Sequence, residues 1–173
     1  MEPYRIDIHA ATVDFKLVDL SEMTGKLFLP AESTQSIPVE LTARLNGSDR
    51  FLAVELPNEQ RVLWNKDRVM WCRWRSDRGA GVYSPRRRVT LLLDDMSSVH
   101  GDLIVDGPPD RQRVLDLLNM AEDFVRVDRA DGCILVNKRC ISCVPSPELG
   151  EEEVGAEAEF ELEETRQAEA VSG

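Results

Sequence analysis

Apolar residues take every second position at Val13, Phe15 and Leu17 and again at Val89, Leu91 and Leu93, the period of a strand with one buried face. Each run leads through a polar turn into a second alternating stretch, Leu27 and Leu29 in one case and Leu103 and Val105 in the other. Pro30 closes the first. From Pro38 to Asn46 the pattern becomes helical: Pro38 suits a first helical turn, Leu41 and Leu45 lie one turn apart, and Asn46-Gly47 predicts a left-handed stop. Farther on, Asp110 is the expected cap of a matching helix with Val114, Leu117 and Leu118 on its apolar face, ending at Asn119. Strands are predicted at Phe51 to Leu56 and Phe124 to Val127, each leading into a hairpin, at Pro57-Asn58-Glu59 and at Asp131-Gly132. Val62 with Trp64, and Ile134 with Val136, carry the return strands. Asn65-Lys66 and Asn137-Lys138 then bend the chain into last strands at Val69 to Trp74 and Ile141 to Val144.

The same pattern is therefore written twice. A shift of 76 positions places Val13 on Val89, Asp19 on Asp95 and Gly25 on Gly101 without a gap. After a loop of different length, a shift of 73 places Leu45-Asn46 on Leu118-Asn119 and Phe51 on Phe124. One further slip, to 72, places Asn65-Lys66 on Asn137-Lys138. Slips confined to loops are what duplication followed by loop drift leaves behind. The expected fold is mainly β, an α+β tandem duplication of a small β-β-α-β-β-β bent sheet or half-barrel with the copies packed pseudo-symmetrically. The expected boundaries are an N-terminal edge strand in 1–12 (Tyr4, Ile6, Ile8), copy one in 13–75, a basic connector in 76–88, copy two in 89–145 and an acidic tail in 146–173. Units of roughly 60 residues are marginal alone, so each should pack on the other or on a partner.

The motif Gly-x-Leu-x-Leu-Pro at Gly25 to Pro30, the Leu-Asn pair at the helix end, Phe51 and the Asn-Lys-x-x-Val/Ile strand entry resemble an uncharacterised family of small bacterial domains. Each copy carries the pattern, and together they cover most of 13–144. The second copy departs from it at Asp106, where the first has Pro30, and the first has a longer polar loop at Ala31 to Ile37. The resemblance implies a β-rich bacterial module and no particular chemistry.

Charge changes this picture in two places. Of the net −11, nine negative charges sit in 148–173, which hold ten Glu and one Arg, so 1–147 carry only −2. Such a tail is expected to be disordered or weakly helical and to solubilise the chain, bind a basic partner, or shield Arg86, Arg87 and Arg88. From Arg61 to Arg88, by contrast, nine Lys or Arg face only Asp67 and Asp77, with Trp71, Trp74 and Tyr83 interleaved. Basic groups neutralise phosphates and flat rings stack on bases, so a nucleic-acid-binding protein shielded by its own tail is the alternative reading. No apolar run approaches the roughly 18 residues of a membrane span, and no signal pattern opens the chain, so a cytoplasmic protein away from membranes is expected.

Candidate catalytic chemistry is thin. The chain has two histidines, His9 and His100, neither with a Ser or Cys at a recognisable motif spacing. Cys133, Cys140 and Cys143 resemble part of a zinc site, with His100 or Cys72 as a fourth ligand. Strand geometry turns Cys140 and Cys143 to opposite faces, however, and favours buried, reduced thiols without metal. We expect no catalytic residue and no cofactor. The expected function is a non-enzymatic interaction or adaptor module of a bacterial cytoplasmic assembly, binding another protein or a second copy of itself. Its expected contact residues are Arg73, Arg75, Tyr83, Arg86, Arg87 and Arg88.

Overall fold

A computed structural model of the chain describes residues 8–30, 35–76, 86–105 and 113–145. Tyr4, Ile6, Asp110, Tyr83 and the acidic tail lie outside them. The first half runs β1 (Ile8–Leu17), β2 (Glu22–Pro30), α1 (Ile37–Asn46), β3 (Phe51–Glu55), β4 (Arg61–Asn65) and β5 (Val69–Arg75). The second runs β6 (Arg86–Leu93), β7 (Ser98–Ile104), α2 (Val114–Leu118), β8 (Phe124–Arg129), β9 (Gly132–Asn137) and β10 (Ile141–Cys143). The protein is mainly β, and the ten strands of the described residues belong to one antiparallel sheet that does not close into a barrel.

The two halves share one wiring. Val13 stands opposite Gly25 and Val89 opposite Gly101; Phe51 stands opposite Asn65 and Phe124 opposite Asn137. A side chain at Gly25 would put its Cβ 2.5 Å from Val54 Cγ1, and one at Gly101 would lie 2.5 Å from the Asp128 carbonyl, so neither position has room for one. Each first hairpin turns at an aspartate, Asp19 or Asp95, whose carboxylate accepts from the amide and hydroxyl of the Ser two residues on. Asn65 and Asn137 each accept an amide two residues later and start a short 3-10 turn into the last strand.

Three expectations change. Ile8 to Thr12 are not a separate edge strand but the first part of β1, paired throughout with β2. Arg86 to Arg88 are not connector; they open β6. The stop of α1 is not left-handed either, because Gly47 has φ −65°. Instead the Lys66 ammonium reaches back to the carbonyls of Leu45 and Gly47, satisfying helix-end acceptors with a cation. Lys138 does the same for Leu117 and Met120 at the end of α2. Burial of these two amines pushes both below the ordinary lysine range.

The strand order is β10-β6-β7-β8-β9-β5-β1-β2-β3-β4. The halves therefore meet through unlike strands, β9 of one against β5 of the other, in a head-to-tail join rather than across a local two-fold axis. Side chains alternate along β9: Cys133 and Leu135 enter the first core with Phe15, Leu45 and Cys72, while Ile134 and Val136 enter the second with Leu91, Leu103 and Met70. The two cores thus lie on opposite faces of the central strands, and every residue of β9 is buried. Trp74 packs against the first core and Trp71 against the second.

Candidate interaction surface

Equal wiring makes each exposed position in one half comparable with its counterpart in the other. Leu135 on β9 is fully buried, because the first half covers it; Leu63, at the matching place on β4, is 72% exposed. Phe124 on β8 is 3% exposed and Phe51, its counterpart on β3, is 52% exposed. Phe51, Ala53 and Leu63 share one face, since residues two apart point the same way and Ala53 stands opposite Leu63. The opposite face of β3 and β4 carries Leu52, Val54, Val62 and Trp64 against the first core. Among the described residues β4 has a neighbour on one side only, so its outer backbone groups form an edge of the described sheet. The outer face of β3 and β4 thus exposes Phe51, Ala53 and Leu63 beside the Glu55–Arg61 ion pair, next to an edge strand of the described residues, while its twin in the second half is sealed.

The seal in the second half has a specific polar component. Asn46, the last residue of α1, accepts from the Phe124 amide at 2.8 Å and donates to the Phe124 carbonyl at 3.1 Å. Beside it an open groove of about 440 Å³ runs between Val39, Thr42 and Ala43 of α1 and Ile104, Leu117 and Met120 of the second half. Lys16 on β1 joins the same junction through an ion pair with Asp95 at 2.6 Å. The hydrogen bond from Lys16 holds the Asp95 carboxyl down at about 2, and Asp95 in turn raises the Lys16 amine.

The arginines expected to make contact are dispersed. Arg73 and Arg75 on β5 both pair with Asp14, at 3.0 and 3.4 Å, and Arg73 also lies over the Trp71 ring. Burial alone would raise the Asp14 carboxyl, but the bonds from Thr24 and Arg73 with both guanidinium charges outweigh it and bring it below its ordinary value. Arg88 pairs with Asp102 at 3.0 Å, and Arg86 and Arg87 precede it on β6. Three strands, β7, β8 and β9, separate β6 from β5, so these residues do not form one basic patch. Tyr83 lies outside the described residues. Trp71 and Trp74 turn to different cores and offer no common stacking platform.

Among the described residues no three metal-ligating side chains converge. Cys72, Cys133 and Cys140 are buried and Cys143 is exposed. Burial raises the Cys72 and Cys140 thiols and pushes Cys133 up to about 12, which keeps these sulfurs protonated and unreactive. His100 has partners that its sequence spacing did not reveal. Its ring nitrogens lie 2.9 Å from Thr90 Oγ1 across the ladder and 2.9 Å from Ser98 Oγ two residues back on the same face. His100 is exposed and lines neither of the two described grooves. A second, polar groove holds Arg50, Asp67, Asp123 and Arg139 as neighbours that neutralise one another through ion pairs of 3.3 to 3.8 Å.

The chain matches no protein-family model, no curated protein and no solved structure.

Proposed function

We propose that this protein is a non-enzymatic interaction module of a bacterial cytoplasmic assembly, and that it binds another protein through the outer face of β3 and β4 and the open edge of β4. The observation that carries this reading is the contrast between Leu63 and Leu135, identical residues at matching positions, one bare and one sealed by a neighbouring β unit. Exposed apolar side chains beside an edge strand are the arrangement that β-strand addition uses: ladder bonds supply affinity and side-chain packing supplies selectivity. The protonated buried thiols support a binding role over thiol catalysis. Matched wiring supports an origin in duplication of a small domain, which would leave one half's joining surface without a cover.

The test is site-specific photocrosslinking in the source cell, with the crosslinker at position 63 or, as a control, at exposed Leu20 in the first hairpin turn. A discrete protein adduct from position 63 and none from position 20 is the expected result. Equal, diffuse labelling from both positions would overturn the assignment of this face.

A further inference from the structure

The joint inside the chain has three parts: the β9 to β5 ladder, Leu135 inserted into the first core, and the Asn46 amide bracketing the Phe124 backbone. At the two ends of the sheet the same parts stand separated. One end shows the β4 edge with Leu63 and Phe51 exposed. The other shows the β10 edge and Asn119, which follows α2 directly and matches Asn46, the last residue of α1, in the aligned halves. Asn119 is exposed, and its side chain makes no hydrogen bond among the described residues. Resting on the interaction reading above, we propose that the occupant of the β3–β4 face is a second copy of this chain, docked head to tail so that its Asn119 brackets Phe51 and its β10 side covers Leu63.

The backbone is oriented for this contact. Phe51 has the same register against Asn65 that Phe124 has against Asn137. The Lys66 amide bonds the Arg50 carbonyl as the Lys138 amide bonds that of Asp123. The amide and carbonyl of Phe51 therefore point to the side from which Asn46 reaches Phe124. Lys66 and Lys138 each reach back to their helix end, sharing the matching carbonyls of Gly47 and Met120 and differing by one residue at the other, Leu45 against Leu117, so Asn119 leaves α2 beside a similar support.

Two differences make the joint between chains weaker than the one within. Gln60 stands where the second half has Gly132, whose missing side chain lets β9 close on the Trp74 carbonyl. Pro145 follows β10, which has three residues against seven in β5; a proline has no amide to give a ladder. Because the two ends are unlike, each added copy leaves one end of either kind free, and assembly is open-ended rather than closed at a dimer.

Sedimentation velocity of the full-length protein over a concentration series tests the proposal, with Leu63→Glu and Asn119→Asp as variants. Both residues are exposed, so neither change should disturb the fold, and thermal melts check this. The wild type should grow past dimer with concentration. Each variant alone should associate at least about tenfold more weakly, through a buried charge or a carboxylate set against the Phe51 carbonyl. An equimolar mixture should form a dimer and stop, since each variant supplies the end that the other lacks. A wild type that stays monomeric at every concentration overturns the proposal. So does association that Leu63→Glu abolishes and Asn119→Asp leaves intact, the behaviour of β4 pairing with β4. A monomer that still gives a discrete adduct to a different protein from position 63 would remove this inference and leave the interaction reading standing.

Discussion

Replacing Asn46 by alanine removes the polar bracket between the halves and leaves everything else in place. Two hydrogen bonds are lost, at 2.8 and 3.1 Å, and the Phe124 amide and carbonyl are left without their partner. Each bond is worth about 0.5–1.5 kcal/mol net, and the stranded groups border an open groove where water can reach them, so Asn46→Ala should cost about 1–3 kcal/mol. Asn119→Ala is the internal control: the matching residue in an exposed position should cost no more than about 0.5 kcal/mol in dilute protein. Urea unfolding followed by tryptophan fluorescence and far-ultraviolet circular dichroism measures both. With a slope of about 2 kcal/mol per molar urea, the midpoint of Asn46→Ala should fall by about 0.5–1.5 M while that of Asn119→Ala hardly moves. Asn46→Asp keeps the acceptor for the Phe124 amide but faces its carbonyl with a charge, and should lose at least as much as alanine at neutral pH. Equal stability of Asn46→Ala and Asn119→Ala would refute the claim that this bracket holds the halves together.

Leu135→Ala should cost about 2–5 kcal/mol by opening a cavity in the first core, whereas Leu63→Ala should stay within about 0.5 kcal/mol; the same urea titration compares them. The Asp95 carboxyl, held at about 2 in the folded chain against an ordinary 3.8, stabilises the protein above about pH 4 and loses that contribution as pH falls through about 2. Lys16→Met removes its partner, should cost about 1–2 kcal/mol at neutral pH, and should raise the midpoint of acid unfolding. A thiol reagent should modify Cys143 at once, while Cys72, Cys133 and Cys140 should react only on unfolding, which timed mass spectrometry would resolve.

Local pattern was enough to place most strands, because alternation at Val13, Phe15 and Leu17 and the turns at Asp19 and Asp95 report short-range physics. The repeat also carried its register: Gly25 and Gly101 face Val13 and Val89 as the unbroken 76-residue offset requires. The way the halves join was not legible. Which strand edge meets which depends on the cover each finds in three dimensions, and β5 and β9 show no special composition until their two faces are seen to serve different cores. The α1 stop misled for a similar reason: Asn46-Gly47 looks like a local signal, yet the cap comes from Lys66 across the fold. Arg73 and Arg75 read along the chain as exposed charges, yet Asp14, distant in sequence, pairs with both. Nothing in the order of residues distinguishes Leu63 from Leu135, since what buries one and not the other, β5 with Cys72, lies far off in sequence.

The wall formed by β5 and β9 serves a chamber on either side, so neither half owns its own enclosure. Cutting the chain between 76 and 86 should therefore yield two fragments that cling to each other, and neither should fold in isolation. Melting should proceed as a single concerted event despite the twofold pattern of the chain, because loosening either chamber strips one side of the partition on which the other depends.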